Sequence, residues 1–155
     1  MPSELRTWSM ISLMVAACAC ATLTRLPACH NQKTRASAIE ILKPVNLKKA
    51  LRTLEFTDGV VTTVSDEAIM DAMAMVSKNG FGCEPASAAT VAGTKKLVDQ
   101  GIIRADATVV GIATGHILKD TAAIVDYHFN PKNQFANTPI TVEPDVSKIL
   151  RLANS

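Results

Sequence analysis

The 155-residue sequence contains few aromatic residues and almost no net charge. It has one Trp, one Tyr and four Phe, and its 16 basic and 14 acidic residues give a formal net charge of +2. Single-stranded nucleic acids are usually bound by aromatic residues that stack on the bases beside a basic groove. The few aromatic residues and the small net charge predict neither the aromatic surface nor the basic groove. We therefore expect no nucleic-acid partner. With 48% hydrophobic and 19% charged residues, the composition is that of one globular domain.

The sequence also lacks a disulfide framework, because three of its four cysteines lie among the first thirty positions. Together with His30, these three cysteines (Cys18, Cys20 and Cys29) could be read as a zinc site. The paired two-residue spacing of structural zinc sites is missing, however, and we predict no metal site. We interpret the fourth cysteine, Cys83, as a small buried hydrophobe rather than a nucleophile, because the neighbouring Glu84 should raise its pKa.

No apolar run is long enough to cross a bilayer comfortably, although residues 10–23 are almost wholly apolar. After Arg6, this run has the outline of a secretory signal, and residues 15–18 (Val-Ala-Ala-Cys) resemble a loose lipoprotein cleavage box. A buried core helix or a segment that belongs to no fold would explain the same residues. We treat residues 1–33 as an apolar N-terminal segment of uncertain status, separate from residues 34–155. We predict a cytoplasmic protein without membrane association.

Helix and strand signals alternate along the remaining sequence. Apolar residues at helical spacing predict helices over residues 45–54, 66–78 and 85–100. Runs of β-branched or apolar residues predict strands over residues 60–64 and 108–113. Strands that alternate with helices indicate an α/β fold with a parallel sheet.

Thr114 is a candidate ligand-binding residue because it follows the strand predicted over residues 108–113. Ligands of parallel sheets bind outside the carboxyl ends of the strands, and the adjacent Gly115 permits close approach of the backbone. A threonine that caps a turn would explain this pattern equally well. Similarly, the small residues 86–89 would allow either a flat ligand or a neighbouring helix to come close.

Two blocks of the sequence resemble the closing signature of the threonine synthase family. They are Glu84-Pro85-Ala86-Ser87-Ala88-Ala89 and Thr114-Gly115-His116-Ile117-Leu118-Lys119-Asp120. Two upstream blocks resemble the active-site segment and the following helix of that family, namely Ala36-Ser37-Ala38-Ile39 and Lys43-Pro44-Val45-Asn46. The resemblance extends from about Thr34 to Asp126. It implies the C-terminal portion of a fold-type-II pyridoxal-phosphate enzyme, with a partial three-layer parallel sheet and helices on both faces.

The resemblance implies a lyase of threonine biosynthesis that converts O-phosphohomoserine and water into threonine and phosphate with pyridoxal phosphate as cofactor. It implies that Thr114 hydrogen-bonds the pyridine nitrogen of the cofactor. Because the threonine hydroxyl is neutral, this hydrogen bond does not require the nitrogen to be protonated. Gly115 and Glu84 are the other implied cofactor-binding residues, and Ala36 and Ser37 are the implied substrate-binding residues. Another pyridoxal-phosphate lyase of the same superfamily is the alternative, although related dehydratases usually have serine or cysteine in place of the threonine.

The sequence departs from the family pattern at Glu40, Leu42 and Ile117, where the family usually has a cation, a glycine and a glycine. It also contains neither the Ser-Phe-Lys-Asp type of segment that carries the cofactor-bonding lysine nor the glycine-rich loop that holds the cofactor phosphate. We interpret Lys119 as a solvated charge rather than as that lysine.

We therefore expect a truncated chain that has no catalytic residue of its own. It would need the missing upstream part for catalysis, and we expect association with a complementary fragment or as a homo-oligomer. The alternatives are a non-catalytic module that binds a full-length homologue and a secreted or lipid-anchored protein directed by the N-terminal segment.

Overall fold

The computed structural model describes residues 33–41 and 45–154, together with the backbone of Leu13–Val15. In chain order, the elements are β1 (Leu13–Val15), a 3-10 turn (Ser37–Ile39), α1 (Leu47–Thr57), β2 (Val60–Thr62), α2 (Asp66–Lys78), α3 (Pro85–Asp99), a second 3-10 turn (Ile117–Asp120), α4 (Thr121–Phe129) and α5 (Val146–Ala153). The second 3-10 turn is called the 117–120 turn below.

Helix α2 begins and ends at the residues that the sequence predicts, and α3 begins at the predicted residue and ends within one residue of the prediction. Ser65 precedes α2, and its Oγ accepts a hydrogen bond from the backbone N–H of Ala68 at 3.2 Å. Pro85 occupies the first turn of α3, where no backbone N–H is required. Gly80 and Gly101 follow the two helices with φ angles of +84° and +71°, a region that favours glycine. The predicted helix ends are therefore confirmed.

The hydrophobic core lies between α2 and α3, which pack against each other along their lengths. Helix α2 contributes the larger side chains, Ile69, Met70 and Met73. Helix α3 contributes small residues near its beginning, including the fully buried Ala88, and Leu97 near its end. Small side chains allow the helix backbones to approach closely, so the small face of α3 serves helix packing.

Strands β1 and β2 pair in parallel, with Leu13 opposite Val60 and Val15 opposite Thr62. In the described part of the chain, this pair is the only sheet. Residues 108–113, where the sequence predicts a strand, pair with no described strand and form none in the described part of the chain. Val110 is 87% exposed and Ile112 is 76% exposed. A β-branched run becomes a strand only when a neighbouring strand completes its hydrogen bonds, and no described strand lies beside this segment.

Strand β1 lies within the apolar run of residues 10–23, so its three residues do not form the core helix considered from the sequence. The rest of that run lies outside the described residues, as do the residues of the conceivable zinc site. The signal-peptide and zinc interpretations therefore concern residues that the structure does not describe. Across residues 33–41 and 45–154, every helix is too short or too polar to traverse a bilayer.

Candidate functional site

The candidate site forms where the residues before α3 meet the residues before the 117–120 turn. The backbone N–H of Glu84 donates to the carbonyl oxygen of Gly115 at 3.0 Å. Cys83 and His116 form an isolated antiparallel bridge beside this bond. Backbone hydrogen bonds therefore hold the two blocks of the sequence signature side by side, although they lie far apart along the chain.

Ser87, in the first turn of α3, fixes the backbone around Thr114. Its Oγ accepts hydrogen bonds from the N–H of Thr114 at 2.9 Å and from the N–H of Gly115 at 3.2 Å. The same Oγ lies 3.2 Å from Thr114 Oγ1. Ser87 is only 4% exposed, so these bonds are shielded from water. The sequence patterns assign Ser87 no role of its own, although a lone hydroxyl among alanines in a first helical turn is a signal that could indicate one.

Glu84 places a buried carboxylate beside Thr114. The residue is 2% exposed, and its Oε1 accepts a hydrogen bond from Thr114 Oγ1 at 3.2 Å. Its Oε2 lies 3.5 Å from Lys119 Nζ. Burying an unpaired carboxylate costs much free energy, and these two partners offset part of that cost. The Lys119 side chain is 60% exposed, as expected of a solvated charge, but it is also the ion-pair partner of Glu84.

Two glycines provide space that the site requires. A Cβ atom at position 115 would lie 2.0 Å from the carboxyl carbon of Glu84, so the Glu84 carboxylate occupies its position only beside glycine. A Cβ atom at position 82 would lie 2.9 Å from Ile117 Cγ2. Gly82 thus makes room for Ile117, which stands where the family usually has glycine. The bulk of Ile117 is accommodated against Gly82.

Cys83 is a buried thiol, as the sequence predicts. It is 2% exposed, and burial raises the pKa of the thiol, with a further contribution from the negative charge of Glu84. A raised pKa keeps the thiol protonated and weakly nucleophilic at neutral pH. The prediction that Cys83 is a small hydrophobe is confirmed.

Ser37, one of the two predicted substrate-binding residues, lies at the 117–120 turn. Its side chain is exposed, and its Oγ donates a hydrogen bond to Asp120 Oδ2 at 2.7 Å. Lys119, the preceding residue of that turn, pairs with Glu84. The residues Thr114, Gly115, Glu84 and Ser87 are called the Thr114 cluster below. The 117–120 turn therefore connects Ser37 on one side with the Thr114 cluster on the other. The substrate-binding role of Ser37 stays a prediction.

Ala36, the other predicted substrate-binding residue, is fully buried in the core. The segment before it is anchored at the N-terminus of α2, where the Asp66 carboxylate accepts hydrogen bonds from Thr34 Oγ1 at 2.6 Å and from the N–H of Arg35 at 3.0 Å. Of the predicted pair, Ser37 is the residue whose side chain is exposed to solvent. A substrate role of Ala36 stays a prediction too.

An open cleft lies along α2 and α3 and includes none of the five predicted site residues. Two of its three lysines, Lys95 and Lys96, are already paired in the structure. Lys96 Nζ donates to the carbonyl oxygen of Thr63 at 2.6 Å, and Lys95 Nζ lies 2.7 Å from Asp99 Oδ2. The Thr114 cluster is thus the place where the structure brings the predicted cofactor-binding residues Thr114, Gly115 and Glu84 together.

Comparison with known proteins supports the sequence resemblance. A family model described as "Pyridoxal-phosphate dependent enzyme" matches residues 8–115. The resemblance in the sequence begins at about Thr34. The family match begins further upstream and includes β1. Since enzymes of this family have α/β folds, the α/β class is shown, although the extent of the parallel sheet is not.

Several curated proteins similar to the chain are threonine synthases. That of Methanosarcina acetivorans is 46% identical over 109 residues, which are 70% of this chain and 27% of the relative. That of Methanocaldococcus jannaschii is 39% identical over 123 residues, or 79% of this chain and 28% of the relative. Threonine synthase 2, chloroplastic, of Arabidopsis thaliana is 32% identical over 121 residues, or 76% of this chain and 23% of the relative.

The chain thus spans about a quarter of the length of the curated relatives that it matches. The cofactor predicted from the signature blocks is the one that defines the matched family. The family match covers well over half of the sequence and includes Glu84, Ser87, Thr114 and Gly115. The chain therefore belongs to the family of pyridoxal-phosphate dependent enzymes.

Proposed function

We propose that the chain provides the part of a threonine synthase active site that holds the cofactor ring nitrogen. The reaction of such an enzyme converts O-phosphohomoserine and water into threonine and phosphate. The observation that carries the proposal is the Thr114 hydroxyl, which belongs to an exposed residue and is held between the buried Glu84 and Ser87. The similarity to threonine synthases of several organisms supports the choice of reaction within the family.

The residues around Thr114 fit the ring end of pyridoxal phosphate. A ligand can reach the Thr114 hydroxyl without displacing its supports, because Ser87 and Glu84 lie on the buried side. Gly115 adds no side chain to the approach. When bound, pyridoxal phosphate supplies an electron-withdrawing ring that stabilises negative charge on the substrate. Thr114 would hold the ring nitrogen, Ser87 and Glu84 would orient Thr114, and Ser37 would contact the substrate.

The proposal assigns the cofactor-bonding lysine to sequence beyond this chain. Of the lysines in the described ranges, the one in contact with the cluster is Lys119, and its ammonium group pairs with Glu84. A segment of the Ser-x-Lys-Asp type does not occur in the sequence. We expect the polypeptide alone to be catalytically incompetent and to become active with a complementary segment. The location that we propose for it is the cytoplasm.

The proposal also includes a larger parallel sheet than the pair β1 and β2. Residues 108–113 are rich in β-branched and apolar side chains and are exposed. Strands of a complementary segment could complete their backbone hydrogen bonds, which would bury side chains such as Val110 and Ile112. Thr114 would then follow the carboxyl end of a sheet strand, as the sequence predicts.

The activity is tested in a chimera in which this chain replaces the aligned residues of the Methanosarcina acetivorans relative. We expect the chimera, loaded with pyridoxal phosphate, to release phosphate from O-phosphohomoserine. The variant Thr114→Val should lower kcat/KM about tenfold or more, the effect of losing one hydrogen bond of about 1.4 kcal/mol. The matched variant Thr138→Val replaces an exposed threonine away from the cluster and should leave the rate unchanged.

Two results would count against this function. A chimera that binds the cofactor but releases no phosphate would favour a non-catalytic module or another lyase of the superfamily. Equal rates for the Thr114→Val and Thr138→Val variants would show that Thr114 does not act on the cofactor.

A further inference from the structure

A cavity of about 410 Å³ lies between the last turn of α2, the end of α4 and the segment that follows α4. It is called the α2–α4 cavity below, and it includes no residue of the Thr114 cluster. Its volume is within the range of binding sites for small molecules. Its polar lining residues are Ser77, Lys78, His128, Gln134 and Asn137.

The hydroxyl of Ser77 is a buried polar group without a hydrogen-bond partner among the described residues. A hydroxyl in a helix can donate to the carbonyl oxygen of the preceding turn, as Thr94 Oγ1 does to Thr90 at 2.9 Å in α3. Ser77 makes no such bond within α2. Because an unpaired buried hydroxyl destabilises a fold, its position beside a cavity points to a ligand.

His128 provides a second donor, and a backbone hydrogen bond determines its tautomer. Its Nδ1 accepts from the N–H of Asn137 at 3.1 Å. An imidazole whose Nδ1 accepts a hydrogen bond carries its proton on Nε2. The ring of Tyr127 meets the imidazole edge-on, with ring centroids 5.2 Å apart. His128 therefore has an Nε2–H group that donates to no residue in the described ranges.

The charge of the cavity lining is positive. Lys78 is the lysine among the lining residues, none of the described lining residues is acidic, and no described carboxylate pairs with Lys78. The carbonyl end of a helix opposes an anion. In α2, however, the carbonyl oxygens of residues 75–77 already accept hydrogen bonds from Asn79 and Gly80. The electrostatics of the lining therefore favour a negatively charged ligand.

We propose that the α2–α4 cavity binds a small oxyanion, the carboxylate or phosphate group of a small molecule. The Ser77 hydroxyl, the Lys78 ammonium group and the His128 Nε2–H are three donors, and the oxygens of such a group only accept hydrogen bonds. The exposed side-chain amides of Gln134 and Asn137 add donors to the lining. Since the cavity is separate from the Thr114 cluster, the proposal does not rest on the proposed function.

The rest of the lining distinguishes between the two sources of an oxyanion. Ala74, Phe135 and Ala136 form the apolar part of the cavity lining. The short carbon chain of a carboxylate would contact these side chains, whereas inorganic phosphate has no apolar part to place against them. The apolar lining therefore favours a short-chain carboxylate.

Binding is tested by nuclear magnetic resonance on the ¹⁵N-labelled full chain, titrated separately with sodium butyrate and with inorganic phosphate at constant ionic strength. We expect butyrate to shift the backbone amide resonances of Ser77, Lys78 and Asn137 in a saturable manner. Saturable shifts with phosphate would also support the oxyanion site, and phosphate shifts alone would assign it to phosphate groups. Shifts with neither probe, or the same shifts with sodium chloride, overturn the proposal.

Variants of two donors test the assignment of the site. We expect Ser77→Ala and Lys78→Gln to raise the Kd of the bound probe about fivefold or more, because each variant removes one hydrogen-bond donor. The matched variants Ser147→Ala and Lys48→Gln replace exposed residues away from the cavity and should leave the Kd unchanged. An equal Kd in all four variants overturns the proposal.

Urea unfolding of the ligand-free chain tests the premise that the Ser77 hydroxyl is unpaired. We expect the urea midpoint of Ser77→Ala to equal or exceed that of the parent chain, because the variant removes a buried hydroxyl that bonds to no described residue. Ser147→Ala provides the reference for a serine exposed to solvent. A midpoint of Ser77→Ala below that of the parent chain would show that the hydroxyl already has a partner, which overturns the proposal.

Discussion

The Thr114 cluster consists of polar groups, each of which has a defined partner. Thr114 connects two buried side chains, Ser87 and Glu84, and it is the exposed member of the three. Gly115 leaves the space that the Glu84 carboxylate occupies. The role of each residue therefore depends on its neighbours, and one methyl group at position 115 would displace the carboxylate.

The thiol of Cys83 offers a test at this scale. Burial and the charge of Glu84 both raise its pKa, so its thiolate form is rare near pH 8. We expect iodoacetamide to alkylate Cys83 far more slowly in the native chain than in urea, as measured by peptide mass mapping. The variant Glu84→Gln should react faster than the unsubstituted chain, because it lacks the negative charge. Equal native and urea rates would contradict the buried, raised-pKa thiol.

Thr114, Gly115 and Glu84 could be selected from the sequence because residue type and spacing carry the family signature. The pairing among them could not be predicted in the same way. Ser87 reaches Thr114 only because the first turn of α3 and the residues before the 117–120 turn lie side by side. Contacts between positions this far apart follow from the packing of helices, which local sequence patterns do not specify.

Helices and strands differ in how far their own sequences determine them. Helices α2 and α3 could be predicted closely, because an N-cap serine, a first-turn proline and terminal glycines act within one segment. The strand predicted over residues 108–113 is not formed in the described part of the chain, because a strand depends on partners elsewhere. The β-branched and apolar residues of this segment favour a strand, but the described residues provide no neighbouring strand with which it could pair.

Helix α4 is attached to the rest of the molecule through Tyr127, a contact not predicted from the sequence. Its hydroxyl donates a hydrogen bond to Asp71 Oδ1 on α2 at 2.5 Å and accepts one from the N–H of Phe135 at 3.3 Å. The carbonyl oxygen of Tyr127 accepts from Asn133 Nδ2 at 2.7 Å. This one residue therefore joins α2, α4 and the segment after α4.

Replacing Tyr127 with phenylalanine removes the bond to Asp71 but keeps the ring in place. Hydrogen bonds to charged groups contribute about 1.5–3 kcal/mol, and we expect Tyr127→Phe to lower the free energy of unfolding by that amount at pH 7. Urea unfolding followed by circular dichroism measures the difference. An unchanged free energy of unfolding would show that the bond does not stabilise the fold.

The same variant has a characteristic pH dependence. Burial, followed by the bond to Asp71, raises the pKa of Tyr127 to about 12 in the folded chain, compared with about 10 in the unfolded chain. The contribution of the hydroxyl is therefore complete below about pH 10 and is lost as the pH rises toward 12. The stability difference between the parent chain and Tyr127→Phe should shrink over this window. A difference that stays constant would contradict the assignment.

On the scale of the whole molecule, the described residues bury one core and leave much apolar surface exposed. The core packs between α2 and α3, whereas Val110 and Ile112 are exposed to solvent. Exposed apolar segments of this kind commonly mark interaction surfaces. Together with the quarter-length match to the relatives, this supports the proposal that the residues 108–113 contact a complementary segment.

The family could be predicted from two short blocks of the sequence. The structure brings the residues of these two blocks together in one cluster. The extent of the sheet could not be, because it depends on strands beyond those the structure describes. The roles of Ala36 and Ser37 stay predictions for the same reason. Ser37 is exposed at the 117–120 turn, but a substrate would contact it only in an assembled active site.

The central claim, that Thr114 holds the cofactor ring, is tested most directly by the equilibrium affinity of the chimera for pyridoxal phosphate. We expect Thr114→Val to raise the Kd about tenfold, the effect of losing about 1.4 kcal/mol of binding free energy. Thr138→Val and Lys95→Ala, the latter in the cleft along α2 and α3, should leave the Kd unchanged. An unchanged Kd in Thr114→Val, or weakened binding in Lys95→Ala, would contradict the account.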